Sequence, residues 1–171
     1  MNTASFAPGS WVLLNYRMPR VPSSPRVAVW RRLQSLGVAQ LGDGLVALPA
    51  DARTKEHLEW IAAEVIANAG TATVWTGQPA APSEGRRIAS AMQEERRQEY
   101  LALTLEAADA AALGGAARAR AGRRLQGQHR RITRRDYFPP AERDIARAAV
   151  RALLADQPTA RQTALAEEAG R

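Results

Sequence analysis

From Trp11 to Tyr16 the chain is almost wholly apolar, and a Pro-bounded basic loop, Arg17–Pro22, follows. A short apolar run of this kind predicts a strand over 11–16. Ser23 or Ser24 is then placed to cap a helix over about 24–36, with Pro25 at its first position, where the missing N–H costs nothing. On that helix Val29, Trp30, Leu33 and Leu36 cluster on one side, Arg31 falls opposite and Arg32 on the flank. Gly37 ends it. Two further apolar runs, 38–41 and 45–48, flank Gly42-Asp43-Gly44, a turn able to supply the positive φ values of a tight hairpin. Leu58, Ile61, Ala62, Val65, Ile66 and Ala69 then recur at the spacing of one helical face, predicting a helix over 53–69 that Gly70 stops. The β-branched and aromatic content of 71–76 predicts a fourth strand. Strand, helix, strand, strand, helix, strand is the order of a ferredoxin-like α+β sandwich, with both helices on one face of an antiparallel sheet. It occupies residues 10–77.

Beyond a Pro- and Gly-bearing linker, 77–85, the pattern becomes helical. Residues 86–113 read as one long helix, charged in its first half and apolar in its second, where Tyr100, Leu103, Ala107 and Ala111 form a stripe. Gly114-Gly115 breaks it. A basic segment, 116–135, follows, then Pro139-Pro140 and a final amphipathic helix over 142–155. The fold class is therefore α+β with a helical C-terminal extension over 86–155. Residues 156–171 are polar without periodicity and are expected to form a disordered tail.

Composition changes this picture in two ways. Cysteine is absent, which removes disulfides, thiolate metal sites and thiol chemistry. The formal charge is +7 and comes almost wholly from arginine, since Lys55 is the only lysine. Arginine presents a planar fork to phosphate and other oxyanions where lysine presents a point charge. The opening residues have neither the basic nor the apolar region of a signal peptide, and no apolar run approaches the ~20 residues that span a bilayer. A cytoplasmic protein is expected, with no membrane contact.

The charge gathers at two places. Arg17, Arg20, Arg26, Arg31 and Arg32 surround the first helix start, where free N–H groups already favour an anion. They are candidate oxyanion or phosphate ligands; the competing reading is a solvated face with Arg26 and Arg32 paired to acids. Residues 116–135 carry eight arginines and no acid. Of these, Arg123, Arg124, Arg130, Arg131, Arg134 and Arg135 are candidates for the backbone of double-stranded DNA; a flexible surface linker is the competing reading. A third row, Arg143, Arg147 and Arg151, lies opposite Ile145, Ala149 and Ala152 and reads as surface decoration. Trp60 sits on the polar side of the second helix and is a candidate interface residue. Asp43 is explained by its turn, and His57 and His129 lack partner acids at a telling spacing. No metal, cofactor or catalytic set is expected.

Two blocks carry a family resemblance. The first joins Tyr16 and Pro19, the Pro-Ser loop, Arg26-Val27, Val29-Trp30-Arg31 and Leu33, Leu36-Gly37, Asp43-Gly44 and Leu48-Pro49. The second is Arg135-Asp136-Tyr137-Phe138-Pro139. Together they resemble the N-terminal region of the ChrB family of bacterial chromate-resistance regulators, from Ser10 to about Ala155. The resemblance implies a non-catalytic regulator that binds DNA, answers to chromate or another oxyanion, and forms a homodimer matching a two-half-site operator. It also implies a further C-terminal domain, which does not follow here; the alternative is an interaction subunit that partners a separate sensor. The same small fold occurs in CRISPR adaptation nucleases, which need a metal-binding acid near the end of the first strand. Asn15-Tyr16-Arg17 stands there instead.

Overall fold

The computed structural model describes residues 9–155. They form two compact units: one runs to Glu95 and takes back Arg135–Pro139, and the other comprises Arg96–Arg134 and the residues from Pro140 on. One long helix therefore divides between them, its boundary lying well beyond the linker expected at 77–85.

The first unit contains β1 (Trp11–Arg17), α1 (Ser23–Leu36), β2 (Ala39–Gly42), β3 (Leu45–Pro49), α2 (Ala52–Ala67) and β4 (Thr71–Gly77), then the opening turns of α3 (Pro82–Ala111). The sheet is four-stranded in the order β2-β3-β1-β4, and every neighbouring pair is antiparallel. Alternation along β1 sends Val12 and Leu14 to one face, where they sit beside Leu48 and Val46 of β3. These four side chains share a core with Val29 and Leu33 of α1 and Leu58, Ile61 and Val65 of α2. Full burial of such side chains contributes ~1.5–3 kcal/mol each. On the opposite face Trp11, Leu13 and Ala47 meet Ile88 and Met92 of α3 around a cavity of about 460 Å³. Phe138 packs against Trp11 at 6.2 Å between ring centroids, and the Tyr137 hydroxyl donates to the Leu36 carbonyl at 3.1 Å.

Local chemistry explains the boundaries. Asp51 accepts from the Thr54 N–H at 2.7 Å while the Thr54 hydroxyl accepts from the Asp51 N–H at 3.0 Å, a reciprocal cap that starts α2. The expected serine cap of α1 is corrected. Ser23 is already helical, Pro22 stands at the N-cap without a side-chain hydrogen bond, and Pro25 falls in the third position. A fixed φ near −65° suits any place in the first turn, so Pro25 does not mark the start. Trp30, on the apolar side of α1, is 53% exposed, while Val29 and Leu33 are the buried residues of that helix.

In the second unit the last turns of α3 pack with α4 (Gly115–Arg134) and α5 (Glu142–Ala155) around Tyr100, Leu103, Leu125, Ile132, Val150 and Leu153. The basic segment is thus a regular helix and not a linker. Its approach to α5 is close: a Cβ on Gly122 would lie 2.9 Å from Leu154 Cδ2. Arg124 and Glu106 join α4 to α3 at 2.9 Å, and Arg97 meets Glu142 at 2.9 Å. The apolar face of α5 also differs from expectation. Ala146, Val150 and Leu153 are buried while Ile145 is exposed, since small alanines let the helices approach on a line the larger residue does not share. The tail at 156–171 lies outside the described residues.

Candidate anion-binding sites

Two arrangements of arginine emerge. The first is an open cleft of about 1180 Å³ where β1 ends, α1 begins and the β2–β3 turn folds over. The loop after β1 is short, so Arg17 and Arg20 are held near the start of α1, and Arg26 joins them from its first turns. Among the described residues no carboxylate lies within ion-pair distance of these three side chains. Unpaired arginines at an uncapped helix start repel one another, and an anion relieves both. Asp43, in the β2–β3 turn, is the acid of the lining.

The remainder of the lining is suited to more than charge. Trp30 stands one turn beyond Arg26 on the same face of α1, and Gln34 one turn further. Asn15, Tyr16 and Gln40 complete a polar and aromatic wall. Burial pushes the Tyr16 phenol up. Gly44 forms the floor at φ 70°, and its carbonyl accepts from the Tyr16 N–H at 2.7 Å. A Cβ there would meet the Tyr16 carbonyl oxygen at 2.2 Å, so only glycine fits.

Arg31 and Arg32, expected at the same site, are not part of this lining. Arg31 is exposed elsewhere on α1, and Arg32 is bound to Glu64 of α2 at 2.6 Å. Sequence reasoning grouped Trp30 with the apolar side of α1 and passed over Asn15, Gln34 and Gln40 as site residues. The i, i+4, i+8 spacing of Arg26, Trp30 and Gln34 was the signal available.

The second arrangement is a convex stripe. Arg120, Arg123, Arg124, Arg130, Arg131 and Arg134 are all exposed. At ~100° per residue they fall within an arc of roughly 120°, over about 21 Å of helix. Leu125 and Ile132 mark the opposite, buried face. Only Arg124 of the six has a carboxylate partner among the described residues. Arg120 belongs to this row although it was not singled out from the sequence. Arg135 lies past the helix end, is half-buried and belongs to the first unit.

Elsewhere, Trp60 is 63% exposed on α2. Arg147 pairs with Asp144 at 3.0 Å. No group of three or more His, Asp or Glu side chains suited to a metal ion occurs among the described residues, and none of their helices is long and apolar enough to cross a membrane.

A cleft lined by arginine on an α+β unit and a stripe of arginine on a helical unit define a basic protein with two arginine-rich surfaces. The family described as "Protein ChrB, N-terminal" matches residues 26–112, and the chain belongs to that family. It is thereby a chromate-resistance-related protein. The matched stretch begins at Arg26 of the cleft and ends just past α3, so β1 and the arginine helix α4 fall outside it. No curated protein and no solved structure matches the chain.

Proposed function

We propose that this chain is a non-catalytic regulatory protein of chromate resistance that grips double-stranded DNA through α4. The observation that carries the reading is the row of Arg120, Arg123, Arg130, Arg131 and Arg134, exposed on one face of a regular helix and without carboxylate partners among the described residues. A linear row of guanidinium groups follows a linear row of phosphates and reads no sequence by itself. The cleft at Arg17, Arg20 and Arg26 is then the place for an oxyanion signal, chromate being the one the family points to. A homodimer would set two such helices against two half-sites. We read the first unit as a ferredoxin-like sandwich, supported by its βαββαβ order and the spatial order β4-β1-β3-β2.

A titration against the upstream promoter duplex and a scrambled duplex, at two salt concentrations and with or without chromate, tests this reading. Salt-sensitive binding that prefers the promoter and is released by chromate is the expected result. Binding indifferent to sequence, salt and chromate would overturn it. A second reading, an interaction subunit that partners a separate sensor, is favoured by the exposed indole of Trp60. Its signature is a protein complex that survives high salt and is lost in Trp60→Ala.

A further inference from the structure

The cleft is too large and too varied for a tetrahedral oxyanion alone. At about 1180 Å³ it reaches past the ~300–1,000 Å³ typical of sites that enclose whole small molecules. Chromate or inorganic phosphate would engage the arginines and leave most of that space unused. What the remaining space presents is specific. Trp30 offers a half-exposed indole face, and the Gln34 amide offers both a donor and an acceptor, while Gln40 Nε2 already donates to the Gly42 carbonyl at 2.6 Å. Arg26, Trp30 and Gln34 succeed one another along one face of α1, spanning about 12 Å. A cation, a stacking plane and an amide in that order match a phosphate, a planar ring and a ring edge bearing hydrogen-bonding groups.

We propose that this cleft binds a nucleoside phosphate. The phosphate lies among Arg17, Arg20 and Arg26, the base stacks on Trp30, and Gln34 meets the base edge. The inference rests on reading the three arginines as an oxyanion site and names the class of molecule that fills it. A free mononucleotide and the terminal nucleotide of a nucleic-acid strand offer the same chemistry. The full α4 row lies on a convex surface and has no stacking plane of its own, so it does not duplicate this site.

Calorimetric titration of the full chain with AMP, adenosine, inorganic phosphate and a 5′-phosphorylated trinucleotide tests the proposal. AMP is expected to bind at least about fivefold tighter than phosphate, the low end of what base–aromatic stacking contributes. Trp30→Ala should bring AMP down to the affinity of phosphate while leaving phosphate itself unchanged, and Trp30→Phe should retain most of the gain. Arg26→Ala should weaken both, assigning them to the cleft and not to α4. If the trinucleotide outcompetes AMP, the natural occupant is a strand end; the reverse assigns a free nucleotide. Equal affinities for AMP and phosphate, with Trp30→Ala silent, would overturn the nucleotide and leave a plain oxyanion site. Failure of phosphate and AMP alike would remove the oxyanion reading with it.

Discussion

The cleft and the α4 stripe use the same side chain and differ in shape, and shape decides what each can hold. In the cleft three arginines line a concave space with an aromatic wall, so the proposed anion would be surrounded. On α4 the guanidinium groups diverge along a rod, so each meets a different anion and only a polymer engages them together. A stripe of this kind gives affinity that adds up phosphate by phosphate and collapses with salt. A cleft gives discrimination, because donors from β1, the loop after it and α1 line one site. Net charge alone would have treated the two as one property.

The largest effect should come from breaking the stripe. Replacing Arg120, Arg123, Arg130, Arg131 and Arg134 by alanine removes about five phosphate contacts. The slope of log affinity against log salt should fall by about 4–5, and affinity for duplex at low salt by a factor on the order of 10²–10³. Alanine is the best helix former, so α4 should persist, which circular dichroism checks. Binding of AMP to the cleft should be unchanged in this variant. Loss of AMP affinity along with DNA affinity would show that the two sites are not separate.

The converse break is Gly44→Ala. Its Cβ would collide with the Tyr16 backbone, and its φ of 70° disfavours any side chain. The hairpin must shift, costing more than the ~1 kcal/mol of a simple left-handed alanine. Thermal unfolding of the variant should be lowered and AMP binding lost, while the salt-dependent grip on duplex remains. Equal loss of both would remove the distinction.

How far these regions could be read in the sequence follows the same division. The strands stand within a residue of expectation and α5 spans 142–155 as expected, because alternation and Gly or Pro punctuation are local signals. The α4 helix was harder. Its buried line has only Leu125 and Ile132 as large apolar residues, with Gly122 between α4 and α5, so the arginines dominated the pattern. The cleft was half legible: Arg17, Arg20 and Arg26 were named together because a short loop joins them. Trp30 and the neutral amides were not, since periodicity groups the indole with the apolar side of α1, and an amide carries no signal until the fold gives it a cavity.

A smaller effect sharpens the contrast between a charge that binds and a charge that folds. Asp51 is held below the usual carboxylate range, first by the Thr54 backbone N–H. A group depressed in the folded state contributes stability above its unfolded pKa and loses it as pH falls through the folded value. Asp51→Ala should therefore cost about 1 kcal/mol near neutral pH, and less in acid. Asp51→Asn keeps a capping oxygen and should recover most of the loss while flattening the acid dependence. Neither variant should alter anion binding at either site.

The smallest expected effect carries the finest test of the comparison, because Arg32 differs from Arg26 both in having an acidic partner and in its place on the helix face. Both lie on α1, six residues apart, and both were candidates for the same anion. Arg32 reaches Glu64 at 2.6 Å, with side chains 58% and 26% exposed. Exposed ion pairs contribute only ~0–1 kcal/mol, so Arg32→Ala should shift stability by less than 1 kcal/mol. Its guanidinium is already neutralised and faces away from the cleft lining, so AMP and phosphate should bind as before. Arg26→Ala removes a donor without a carboxylate partner and should weaken both. The informative variant is then Glu64→Ala, which frees Arg32 without moving α1. If freeing it leaves anion affinity unchanged, position on the helix face selects the arginines of the cleft. If affinity rises, the lack of an acidic partner is what selects them, and Glu64 acts as the residue that keeps Arg32 out.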